Sequence, residues 1–198
     1  MYPSISPDDY RVIGNPVTGF DDEDFFFFCQ RNPDLRIERT ANHEIIIMPP
    51  AGGESSITSG DVYFHLKLWS RQFGGQTFDS LVGFRLPDGA ILSPDTSWVN
   101  APAWKQLTAE QRKKFPPLCP DFVIEVKSPS DRIPTLQAKM EQWLSNGVRL
   151  GFLIDTEAET AYVYAAGQPV QTVQGFDNEL SGEPVLPGFV LDLRELKS

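Results

Sequence analysis

The segment Cys119-Pro-Asp-Phe-Val-Ile-Glu-Val-Lys127 constrains this chain more than any other. Extended backbone sends successive side chains to opposite faces, so Asp121, Val123, Glu125 and Lys127 share one face and Phe122, Ile124 and Val126 the other. The second face is core. The first sets a carboxylate and an ammonium roughly 6–7 Å apart along the strand, near enough to meet one small polar site. Taken alone, a Glu-x-Lys pair on a strand also fits a solvated sheet face with no function.

What surrounds that strand sets the fold class. Ser128-Pro-Ser-Asp131 leads into a helix from about Ile133 to Asn146 with Gly147 at its C-terminal end, and Leu150 to Ile154 reads as the next strand. Upstream, Glu54 to Phe73 suits a helix covered on more than one side and closed by Gly74-Gly75. Thr77 to Leu86 and Ala90 to Val99 read as strands joined at Pro87-Asp88-Gly89, and Thr108-Ala-Glu-Gln111 matches a capping box before a short helix. Helix, three strands, helix, strand is the order of an α/β core with a mixed sheet. Leu35 to Arg39 with Glu44 to Met48 predicts an N-terminal hairpin. Leu150 to Ile154 with Ala161 to Tyr164 predicts another toward the C-terminus, and Val170 to Val173 and Phe189 to Leu193 are expected to finish the sheet. A further helix is predicted from about Asp22 to Gln30, its acidic start suited to the positive end of a helix dipole.

At 198 residues, 40% of them hydrophobic, the chain supports one domain with a packed core, read as residues 21–198 behind a Pro- and Gly-rich arm, 1–20. Seventeen basic against 27 acidic residues give a net charge of −10, which opposes any binding mode that relies on blanket phosphate neutralisation, so a nucleic-acid partner would have to be held locally. Cys29 and Cys119 lack a C-x-x-C spacing, and His43 and His65 lack metal-binding spacing and are expected to be structural. No signal-like amino terminus and no run of about 18 apolar residues occurs, so a cytoplasmic protein without membrane contact is expected. Gly52-Gly53 lacks the Lys-Ser/Thr tail of a phosphate loop, which disfavours nucleotide cofactors.

A Mg²⁺ ion wants hard oxygen ligands and takes one or two carboxylates plus water and substrate phosphate. Glu125 needs a partner, and Asp121, although on the same face, lies roughly 13 Å away along the strand. Asp95, in Leu92-Ser-Pro-Asp-Thr-Ser-Trp98, is the candidate, because its strand precedes the Asp121 strand and could run beside it.

The set Pro94-Asp95 … Glu125-x-Lys127 resembles the PD-(D/E)xK nuclease motif, and the chain is similar to the Uma2 group of restriction-endonuclease-like proteins of cyanobacterial type. The likeness runs through Leu35-Arg-Ile-Glu-Arg, Ile47-Met-Pro-Pro, Gly52-Gly-Glu54, Ser93-Pro-Asp95, Leu118-Cys-Pro-Asp121, Val126-Lys-Ser-Pro-Ser-Asp131 and Leu136-Gln-Ala-Lys-Met140. It implies a restriction-endonuclease-like α/β core, a mixed sheet flanked by helices, extended by N- and C-terminal hairpins. It also implies Mg²⁺ or Mn²⁺ held by Asp95, Glu125 and the Val126 carbonyl, with Lys127 catalytic in phosphodiester hydrolysis. DNA as substrate and a homodimer follow from the same likeness. Glu54 and Lys139 are accessory candidates, Lys139 because it falls about 40° from Trp143 on a helical wheel and could face the strand. Asp121 suits a structural role at the strand start or a place in the site. The alternative to an endonuclease is a non-catalytic nuclease-fold protein acting through protein–protein contacts, to which the negative charge is congenial.

Overall fold

The computed structural model describes residues 21–197; the expected arm, 1–20, lies outside them. In chain order the elements are α1 (Asp22–Arg31), β1 (Arg36–Arg39), β2 (Ile45–Met48), α2 (Gly53–Phe73), β3 (Gln76–Phe78), β4 (Phe84–Arg85), β5 (Ile91–Leu92), β6 (Thr96–Val99), α3 (Ala101–Gln106), α4 (Ala109–Lys113), β7 (Phe122–Val126), α5 (Ile133–Asn146), β8 (Leu150–Asp155), β9 (Thr160–Ala165), β10 (Gln171–Gln174), β11 (Glu179–Ser181) and β12 (Val190–Asp192), followed by a 3₁₀ turn. They form two compact units. Among the described residues, one takes 21–50 with Gly83–Ser93 and Ala109–Leu118, and the other takes Ala51–Val82, Pro94–Thr108 and 119–197.

The smaller unit is built on an antiparallel sheet in the order β2-β1-β5-β4. The N-terminal hairpin therefore belongs to a sheet of its own. Asp21 starts α1 by accepting the N–H groups of Glu23 and Asp24, and Phe25 from that helix packs with Ile45 and Ile91. Arg39 is buried, bonded to Asp22 at 2.6 Å and to the Gly89 carbonyl at 2.8 Å, with its guanidinium over the Phe25 ring. In the basic run Arg112-Lys113-Lys114, Lys113 pairs with Glu110 and Lys114 sits over Phe26.

The larger unit carries a six-stranded sheet in the order β10-β9-β8-β7-β6-β3. Only β7 and β8 pair in parallel, because α5 provides the crossover that parallel neighbours require. The expectation of one core face on β7 needs correction: all five of its residues are buried, since a strand in the middle of a sheet is covered from both sides. Phe122, Ile124 and Val126 pack with Val62, Leu66 and Trp69 of α2, each fully buried apolar side chain worth about 1.5–3 kcal/mol. On the opposite face α5 comes so close that a Cβ on Gly151 would meet Met140 Cε at 2.5 Å, and Gly151 is the register partner of Val123. The mixed sheet is thus flanked by helices on both faces, which makes this an α/β fold.

Other boundaries also moved. The two long stretches expected at Thr77 to Leu86 and Ala90 to Val99 are each split between two sheets, as β3 with β4 and as β5 with β6. Pro94, with no N–H for a ladder, falls at the second break. Trp104 to Phe115 holds parts of two short helices: Asn100 caps the first, accepting the Ala103 N–H, and the second begins at Ala109, directly after Thr108. The segment at Phe189 to Leu193 does not finish the main sheet; β12 pairs with β11 in a separate hairpin whose apolar residues join the α2 side of the core. Among the described residues no helix is long and apolar enough to cross a membrane.

Candidate functional site

Asp95 is the residue immediately before β6, and β6 runs antiparallel to β7 with Thr96 opposite Ile124 and Ser97 opposite Val123. Continuing that register by one residue sets Asp95 opposite Glu125. The Asp95 carboxylate reaches the neighbouring strand, where Oδ2 accepts the Val126 N–H at 2.8 Å. A strand residue directs its N–H and C=O to the same side, so the Val126 carbonyl also faces the Asp95 strand.

Glu125 is 3% exposed, a costly place for a carboxylate without donors. Two come from α5: Trp143 Nε1 donates to Oε1 at 2.9 Å, and Lys139 Nζ lies 3.0 Å from the same oxygen. Lys139 thus reaches the strand face that its place on the wheel suggests. Trp143, four residues on, reads in the sequence as one of the apolar residues Leu136, Met140, Trp143 and Leu144 along one side of α5. The signal that could have found it was its i, i+4 spacing from Lys139 together with the need of a buried indole N–H for an acceptor.

Lys127 follows β7 directly and is largely buried. Its ammonium is hydrogen-bonded to Glu157, on the β8–β9 turn, and lies 3.7 Å from Asp155. The Glu157 hydrogen bond chiefly raises the lysine pKa above its ordinary value; partial burial opposes this, and the charges of Asp155, Glu157 and Asp131 reinforce it. Asp131 fixes the loop after β7 by accepting both the N–H and the hydroxyl of Ser128. Asp155 and Glu157 carried no signal of their own, because only the parallel pairing of β7 with β8 brings them to Lys127.

The accessory acids are placed differently. Asp121 accepts the backbone and side-chain N–H groups of Asn100, each at 2.8 Å, and lies 3.7 Å from Arg149. That ties the start of β7 to the end of β6. Glu54 stands exposed in the first turn of α2, where a negative charge favours the helix dipole, and among the described residues no hydrogen bond or ion pair links its side chain to Asp95 or Glu125.

Among the described residues no group of three or more His, Cys, Asp or Glu side chains gathers as a metal cluster. The donor set expected from the sequence is two carboxylates, Asp95 and Glu125, and the Val126 carbonyl. An all-oxygen set of that kind fits Mg²⁺ or Mn²⁺, which keep coordination positions for water and phosphate, and does not fit a closed structural zinc site.

One solved structure shares the fold of this chain. A crystal structure of a "putative nuclease belonging to DUF820" from Anabaena variabilis matches with a TM-score of 0.68 at 20% identity, over 81% of this chain and 88% of that one. A cryo-electron-microscopy structure of a DrdV–DNA complex aligns over 58% of this chain and 10% of that one, at 17% identity and a TM-score of 0.37. A search of curated proteins finds no match. The pattern of one family, described as "Putative restriction endonuclease", matches residues 22–194, a span holding Asp95, Glu125, Lys127 and the strands that carry them, and by that match the chain belongs to the Uma2 family.

Proposed function

We propose that this protein is a divalent-metal-dependent DNA endonuclease, with Asp95, Glu125 and the Val126 carbonyl as metal ligands and Lys127 as the catalytic cation. The observation that supports the reading is the hydrogen bond from the Val126 N–H to the Asp95 carboxylate, which ties Asp95 to the strand that carries Glu125. Mg²⁺ or Mn²⁺ bound there would polarise a phosphoryl oxygen and lower the pKa of a water molecule. Asp95 and Glu125 would orient that chemistry from a sheet end where Glu125 is buried and Asp95 half-buried, and where fixed charges act more strongly than in water. Lys127 is held as an ammonium, which favours charge stabilisation on the phosphate over proton abstraction. To reach a substrate phosphate its amine would exchange the Glu157 carboxylate for the phosphate oxygens. A homodimer would supply the second cut of a duplex.

The test is supercoiled plasmid with Mg²⁺ or Mn²⁺. The wild-type protein should nick or linearise it, and Glu125→Ala and Lys127→Ala should not; equal cleavage by all three proteins would refute the assignment.

A non-catalytic role through protein contacts is the second reading. It is favoured by Ile57, Phe64 and Leu68, which lie exposed along the outer face of α2. A protein that neither cleaves DNA nor binds Mg²⁺ or Mn²⁺ in calorimetry would support it.

A further inference from the structure

A buried indole needs one acceptor for its N–H, and a backbone carbonyl normally serves. Trp69 donates to the Pro187 carbonyl at 2.9 Å and Trp98 to the Gly74 carbonyl at 3.0 Å. Trp143 differs. It is fully buried, yet its N–H goes to a carboxylate, Glu125 Oε1, in a hydrogen bond that is itself buried.

Lys139 approaches the same oxygen from one turn earlier on α5, so two donors of different character hold one atom. The ammonium stands on a flexible stem and cancels charge. The indole is rigid, locked by core packing, and brings a dipole without a formal charge. A divalent cation arriving at Glu125 takes over the electrostatic task of Lys139 but leaves the geometric task of Trp143 in place. Hydrogen bonds to the atoms of a ligating carboxylate orient it and tune its affinity.

We infer that Trp143 is a positioning residue that fixes the Glu125 carboxylate for cation binding, with its indole N–H as the working atom. This rests on the assignment of Asp95 and Glu125 as ligands. Trp143→Phe keeps an aromatic ring in the core and removes the donor with the five-membered ring that carries it, so the folded variant should bind Mg²⁺ about 10-fold more weakly in calorimetry. Nuclear magnetic resonance gives a readout that a merely structural tryptophan would not move. The indole ¹H–¹⁵N signal that vanishes in Trp143→Phe should shift in wild-type protein on saturation with Mg²⁺, and should also shift in Glu125→Gln without metal.

A folded Trp143→Phe with wild-type Mg²⁺ affinity would overturn the inference and leave the ligand assignment standing. If that variant fails to fold, an indole signal unmoved by saturating Mg²⁺ in the wild-type protein overturns it instead. A wild-type protein that binds neither Mg²⁺ nor Mn²⁺ removes the ligand assignment itself and the inference with it. In that case a shifted indole signal in Glu125→Gln records only the hydrogen bond.

Discussion

The Asp95 carboxylate accepts the Val126 N–H at 2.8 Å, so one side chain both closes the end of β7 and stands as a candidate metal ligand. The two tasks separate by substitution. Asp95→Asn keeps an oxygen acceptor and should melt within about 1 kcal/mol of wild type while losing Mg²⁺ binding. Asp95→Ala leaves the Val126 N–H without its acceptor and should cost about 1–3 kcal/mol in denaturant unfolding. Equal destabilisation by both would mean that the hydrogen bond is not what Asp95 contributes.

Lys127 and Glu157 offer a second test. Glu157→Gln weakens the hold on the ammonium and should raise cleavage or lower KM several-fold, whereas Lys127→Met should reduce cleavage by about 10²-fold or more. A Glu157→Gln protein as inactive as Lys127→Met would show that Glu157 is needed for the reaction.

Alkaline pH should destabilise the fold, and the sign follows from two groups. Burial pushes the Cys29 thiol up from 9.0 to about 11 and the Tyr164 hydroxyl up from 10.0 to about 12. Each group binds its proton more tightly when folded, so its stabilising effect is complete below the unfolded pKa and is lost as pH rises through the folded one. The melting temperature should fall between about pH 9 and 12, and Cys29→Ala should make the fall shallower in the lower part of that window. A melting temperature that stays flat across this window would contradict the placement of both groups.

Gly75 has φ +83°, and a Cβ there would fall 2.3 Å from Trp98 Nε1. Both the backbone conformation and the indole resist a side chain. Gly75→Ala should therefore destabilise by about 2 kcal/mol or more, measured by urea unfolding, and an unchanged midpoint would show that the turn before β3 or the Trp98 indole can move aside.

Much of the local structure was legible in the chain. The β7 segment announced itself by alternation, and α5 by its apolar stripe and the closing Gly147. The spans of α1, α2 and α5 agree with expectation to within a residue at either end. The failures were failures of partnership. Phe189 to Leu193 reads as a strand and is one at Val190–Asp192, but nothing in its pattern says that it pairs with β11. Ala90 to Val99 reads as one extended run, and its division between two sheets depends on which strands come to lie beside its halves.

The candidate site divides along the same line. Sequence determined which residues could perform the chemistry, because the capacity to ligate or carry charge belongs to Asp95, Glu125 and Lys127 as side chains, and the alternation of a strand fixes which neighbours share a face. Tertiary structure alone decided their partners. Trp143 and Lys139 reach Glu125 because α5 packs closely over the Val123–Gly151 face, and Glu157 reaches Lys127 because β8 lies parallel to β7. Hydrogen bonds and ion pairs act over a few ångströms through space, and distance along the chain does not encode them until the sheet has formed.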